Sequence, residues 1–230
     1  MTNVPAVTAD QMREIDRIMV EDLHIELVQM MENAGRSLAN LAQRRFHPAS
    51  VLVIAGVGGN GGGGLVAARH LANRGTRVSV IASAPASSMN AATAHQFDIV
   101  RRMNLPVIES PVGADLVIDA LIGYSLHGDP RPPAAALIDW INDQPAPVLS
   151  LDTPSGLDVT SGEPSTPCVR ATATVTLALP KVGLLRAAES VGELYVADIS
   201  VPPLAFERIG LQSGNLFTDD RVVRITQPQS

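Results

Sequence analysis

The 230 residues are 46% apolar and 17% charged, enough apolar material for one buried core spanning residues 1–230 and too much for a disordered chain. A formal net charge of −6 argues against a binder of nucleic-acid backbone, which needs a concentrated excess of Lys and Arg. Cys168 is the single cysteine, which excludes an intrachain disulfide and a four-thiolate zinc site; no run nears the ~18 apolar residues of a membrane span, and no basic region leads into an apolar run at the start, so the expected setting is the cytoplasm.

In chain order, Thr8 precedes Ala9-Asp10-Gln11 in the spacing of a capping box, and Met12, Ile15, Ile18 and Met19 follow at helical intervals. A second helix is expected over residues 25–46, with Met30, Met31, Ala34, Leu38 and Leu41 on one face. The period then changes. VLVIAG from Val51 reads as a buried strand, residues 56–64 as a glycine-rich turn, and LVAARHLANRG as a helix. Strands at 77–83, 115–123 and 148–152 alternate with helices at 91–103 and 133–142, and further strands are expected at 171–180 and 193–200 before a polar tail at 227–230. Strands apolar on both faces that alternate with helices predict an α/β fold with a mainly parallel sheet.

Gly56-Val57-Gly58-Gly59-Asn60-Gly61 satisfies G-x-G-x-x-G between a strand and a helix, where backbone N–H groups and a helix N-terminus hold a pyrophosphate. The next strand ends Ile81-Ala82-Ser83-Ala84-Pro85 and offers neither the acidic residue nor the arginine of a redox dinucleotide site. No G-K-[ST] follows the glycines, which argues against a P-loop. The density of glycine is expected to reflect close approach of the backbone to a ligand. Asp119 in VIDALIG, and Asp152 with Ser155 in LDTPSG, fall at two further strand ends on the ligand-binding edge of such a sheet. The five histidines are scattered, without zinc spacing, and Ser155 lacks the elbow of a serine hydrolase.

Taken together, GVGGNGGGGLVAARHL, VIDALIGYSLHG, LDTPSGLDVTSG and ALPKVG resemble, in order and spacing, the NAD(P)HX epimerase family, the YjeF N-terminal domain; MENAG and DISVPP resemble it too. The resemblance implies a Rossmann-like three-layer α/β/α sandwich, commonly a homodimer. It implies an isomerase acting on hydrated NADH or NADPH, a damaged cofactor with a hydroxyl at C6 of the nicotinamide ring, whose R and S epimers it equilibrates so that a separate dehydratase can restore the S form. Carried over by motif, Asn60, Asp119 and Ser155 are the expected ligands of a potassium ion, all hard oxygen donors. The loop Gly59, Asn60, Gly61, Gly62 and Gly63 and the segment Gly123, Tyr124, Ser125, Leu126, His127, Gly128 and Asp129 are expected to enclose the substrate. Asp152 is the expected substrate-binding residue and general acid/base. Lys181, the chain's only lysine, is read either as a phosphate or ring contact or as a surface charge or sheet-edge contact. The family loop reads G-N-N-G-G-D-G, and here Gly59 and Gly63 replace its first Asn and its Asp. Two other readings stay open at this point: a non-catalytic interaction module, and an enzyme repurposed for another nucleotide.

Overall fold

The computed structural model describes residues 4–226 except 127, 213, 215 and 219. Thr8 caps α1 (Ala9–Arg17) as the spacing predicts: its Oγ1 accepts from the Gln11 N–H at 3.2 Å, and its own N–H donates to Gln11 Oε1 at 2.9 Å. The helix then widens into a π turn over Ile18–Asp22, in which the adjacent Ile18 and Met19 are both buried. α2 (Leu27–Phe46) ends at His47 in the left-handed conformation.

Alternating elements follow: β1 (Ser50–Ala55), α3 (Gly59–Ala72), β2 (Arg77–Ala82), α4 (Ala91–Arg102), β3 (Leu116–Ala120), α5 (Ala134–Asn142), β4 (Val148–Leu151), β5 (Ala173–Leu177), α6 (Ala188–Val191), β6 (Glu193–Ala197), α7 (Pro203–Arg208) and β7 (Val222–Ile225). They build one seven-stranded sheet in the order β2-β1-β3-β4-β5-β6-β7. Every neighbouring pair is parallel except β6 and β7, which are antiparallel.

The two-residue period of a strand divides the core. Val51, Val53 and Ala55 point to one face, where α2, α3 and α4 pack through Leu38, Leu65, Leu71 and Phe97. Leu52 and Ile54 point to the other, against Ile138 and Ile141 of α5. A third cluster joins α1, Met30, Ile199 and Phe206, so that α1 is fastened over one end of the sheet.

Two features differ from the sequence reading. The glycines of residues 56–64 are not a turn as a whole, because α3 begins at Gly59 and buries Gly61 to Gly64 in its first turns. A Cβ on Gly61 would meet Gly56 O at 1.9 Å, and one on Gly64 would meet Ala120 Cβ at 2.5 Å. Their smallness is required by packing of helix on sheet rather than by a ligand. The second difference is at the C-terminal end, where α7 and β7 were not anticipated. β7 is a four-residue strand recognisable only by its pairing with β6, and the tail at 227–230 lies outside the described residues.

Candidate active site at the switch point of the sheet

The chain runs from β1 outward to β2 and then crosses back to β3. Connections therefore leave the ends of β1 and β3 in opposite directions, and a crevice opens between them. A cleft of about 470 Å³ occupies it. Gly58, Gly59, Asn60 and Gly63 line one side, Gly123, Tyr124 and Ser125 another, with Asp152 and Lys181 between; Met12, Met30, Met31 and Ile199 form the apolar side.

Asp152 follows β4 in the left-handed conformation, φ 66°, which is uncommon for a residue with a side chain and more readily borne by Asp than by most. The residue is 3% exposed. Oδ1 accepts from Lys181 Nζ at 2.5 Å and from Thr176 Oγ1 at 3.4 Å, and Oδ2 accepts from the Tyr124 N–H at 3.1 Å. Lys181 is wholly buried, which excludes the surface-charge reading. Its ammonium also donates to Thr176 Oγ1 and to the Leu177 carbonyl, each at 3.0 Å, so its three donors are all engaged. The Tyr124 ring lies 5.9 Å from the same ammonium.

Asp119 and Ser155 lie beneath the cleft rather than in its wall, both fully buried. The Asp119 carboxylate accepts from Ser155 Oγ at 2.6 Å, Ser150 Oγ at 2.8 Å, the Ser155 N–H at 2.9 Å and the Leu121 N–H at 3.2 Å. Burial holds its pKa above the ordinary carboxylate range, against the pull of these donors. Ser155 Oγ in turn accepts from the Ile122 N–H at 2.9 Å. Asn60 is the opposite case: its Oδ1 and Nδ2 are both buried and have no hydrogen-bond partner among the described residues. A buried amide left so is costly, by about 1–3 kcal/mol, unless something absent from the protein itself meets it.

The remaining expected contacts divide. Gly123 passes between Asn60 and Asp152, where a Cβ would meet Asn60 Cβ and Asp152 Oδ2 at 3.3 Å each. Leu126 is half-buried and outside the wall, while the Gly128 carbonyl and the Asp129 carboxylate engage Ser165 Oγ at 3.5 Å and the Thr166 N–H at 3.1 Å. Gly61 and Gly62 also stand behind the wall, Gly62 against Met31. His127 lies outside the described residues.

One functional candidate was missed. Asp16 of α1 lines the cleft and its Oδ2 accepts from Tyr124 Oη at 2.5 Å. Burial pushes the Asp16 carboxyl above its ordinary range, and the Tyr124 bond and the Lys181 charge oppose that shift. The phenol of Tyr124 is pushed up as well, by burial and by Asp16. The only hint in the sequence is that Asp16 stands four residues after Met12, on the same face of α1.

Fold and cleft together define a Rossmann-like α/β protein with a cleft at the switch point of its sheet. Residues 27–183 match the family described as YjeF-related protein N-terminus. Over 232 residues the chain is 42% identical to an NAD(P)H-hydrate epimerase of Dehalogenimonas lykanthroporepellens, with 97% of this chain and 94% of that one covered. It is also 42% identical over 201 residues to a bifunctional NAD(P)H-hydrate repair enzyme of Hyperthermus butylicus, covering 83% of this chain and 37% of that longer one. The crystal structure of yeast ynu0 superposes with a TM-score of 0.84 at 25% identity, covering 96% of this chain and all of the other. The chain belongs to the YjeF-related N-terminal family.

Proposed function

We propose that this protein is an NAD(P)H-hydrate epimerase that interconverts the R and S forms of hydrated NADH or NADPH. The observation that carries the reading is the match along nearly the whole of both chains to a relative of that name, and the cleft offers the parts such a reaction needs. The first N–H groups of α3 have no intrahelical partner and suit the substrate's phosphates. Gly59 leaves that approach open, since a Cβ there would find nothing nearer than Met31 Cε at 3.8 Å. Asp152, with Lys181 as its counter-ion, is the base for the ring hydroxyl. Gly63, Gly123, Tyr124 and Ser125 complete the enclosure.

Asn60, Asp119 and Ser155 suit a potassium ion: the amide oxygen of Asn60 is buried without a partner among the described residues, and Asp119 and Ser155 add buried oxygen donors. Bound there, the ion would supply fixed positive charge at the phosphate end of the cleft. Replacing sodium by potassium is expected to raise the melting temperature by about 2–4 °C per kcal/mol of binding, read by a thermal melt in matched salts. Equal melting in the two salts would remove the cation from the account.

We further read the enzyme as a cytoplasmic homodimer that passes the S epimer to a separate dehydratase. The function itself is tested by supplying purified R epimer, an S-specific dehydratase with its nucleotide, and this protein or none. Consumption of R faster than its spontaneous epimerisation is the expected result; an unchanged rate, with the dehydratase active, overturns the reading.

A further inference from the structure

We propose that Asp16 is a second proton-transferring residue of this reaction, joined to Asp152 through Tyr124. The inference rests on the epimerase reading. C6 of the substrate carries the hydroxyl and is bonded to the ring nitrogen N1, so the centre is a hemiaminal. It inverts when the C6–N1 bond opens, the resulting aldehyde turns about C5–C6, and N1 closes on the other face. Opening needs a base at the hydroxyl and an acid at the nitrogen, because a proton leaves oxygen as the bonding pair moves to N1.

The cleft holds two carboxyl groups of contrasting surroundings. Asp152 is paired with Lys181 at 2.5 Å and stands as its carboxylate counter-ion. Asp16 lies on the other side of Tyr124, whose backbone N–H binds Asp152 and whose hydroxyl binds Asp16. Tyr124 is the only hydrogen-bond partner of Asp16 among the described residues, and Asp16 lines the cleft. The charged and titratable groups facing Asp16 are Tyr124, Lys181 and Asp152, with Arg13 of the same helix acting on Tyr124. Burial favours the neutral form of Asp16, the form in which a carboxyl can give a proton.

In the forward sense Asp152 takes the hydroxyl proton, C6=O forms, the C6–N1 pair passes to N1, and Asp16 gives N1 its proton. Ring closure reverses each transfer: Asp16 recovers the proton from N1 as its lone pair bonds to C6, and Asp152 returns its proton to oxygen. Atoms, charge and both carboxyl groups end as they began, and no co-reactant is consumed.

The test compares wild type, Asp16→Asn and Tyr124→Phe in the coupled assay across pH, with melting temperature and ADP-ribose affinity measured alongside. Asp16→Asn is expected to lower kcat at least ~100-fold, a usual share for general acid–base catalysis, with KM and ADP-ribose affinity within about threefold of wild type, the scatter expected when binding is untouched. Wild-type kcat should fall on the alkaline side as Asp16 loses its proton. Tyr124→Phe removes a donor that favours the charged form, so it should move that limb to higher pH, a displacement that a structural role for Asp16 would not produce and that stands even if Asp16→Asn misfolds. An active wild type with an active Asp16→Asn, or with an unmoved limb in Tyr124→Phe, overturns the role of Asp16 alone. An inactive wild type overturns the epimerase reading and this inference with it.

Discussion

Lys181→Met is expected to destabilise the protein by about 3–5 kcal/mol, the usual loss when one partner of a buried ion pair is removed. The reason is the charge left behind. Asp152 is 3% exposed, and without the ammonium its Oδ1 would keep only the long bond from Thr176 at 3.4 Å. Thr176 Oγ1 and the Leu177 carbonyl would lose a donor at the same time. Urea unfolding measures the loss, and a decrease below about 1 kcal/mol would show that water or a rearranged side chain replaces the lysine. The double variant Asp152→Asn, Lys181→Met should recover a large part, because removing both charges is often nearly neutral. Asn is the appropriate partner change, since it tolerates the left-handed backbone at φ 66°.

Gly61→Ala is expected to be as damaging, by about 3 kcal/mol or more, the upper range for overpacking. The added methyl would sit 1.9 Å from Gly56 O, and both sides of that contact are backbone, so no rotamer change relieves it. The strand-to-helix connection itself would have to open, shifting the start of α3 away from the ends of β1 and β3. Gly59→Ala on the same helix is the control, with its nearest neighbour at 3.8 Å; it should change stability by less than about 0.5 kcal/mol. Equal effects at the two positions in chemical denaturation would refute the packing account. The same distinction bears on the family loop. An Asn at position 59 has room, whereas any side chain at 63 requires Leu151 to move, because its Cδ2 lies 2.7 Å from the added Cβ.

Much of this architecture can be read from residues alone where local pattern and burial agree. The β-branched runs around Val51, Val117 and Val148 are buried on both faces and became central strands, while the run around Val78 became the edge strand β2. Three strand ends bearing Asn60, Asp119 and Asp152 converge because a parallel sheet puts them at one edge. The misreading of the glycine cluster has a definite origin: glycine is a poor helix former, yet Gly61, Gly62, Gly63 and Gly64 of α3 lie close on Gly56, Met31, Leu151 and Ala120 respectively, a tertiary demand that overrides propensity. Lys181 shows the same limit, since one lysine in a Pro-Lys-Val-Gly segment carries no sign that it will be wholly buried. Asp16 was hidden because a polar residue on an amphipathic helix normally faces water; the fastening of α1 over the sheet end turns it inward. β7, at four residues, is too short a run to announce itself before β6 is in place.

The two sides of the cleft differ in compliance. Behind the glycine side, Gly56 and Gly61 bring backbone against backbone and little can move, while Met12, Met30 and Met31 present unbranched thioethers with many arrangements of similar energy. An isomerase cannot change the ratio of its two substrates in solution, and a pronounced preference for one of them would bind that form as a trap and slow release. Firm anchorage of the part that both epimers share, beside a pliant surface for the part in which they differ, lets one site receive opposite configurations without favouring either.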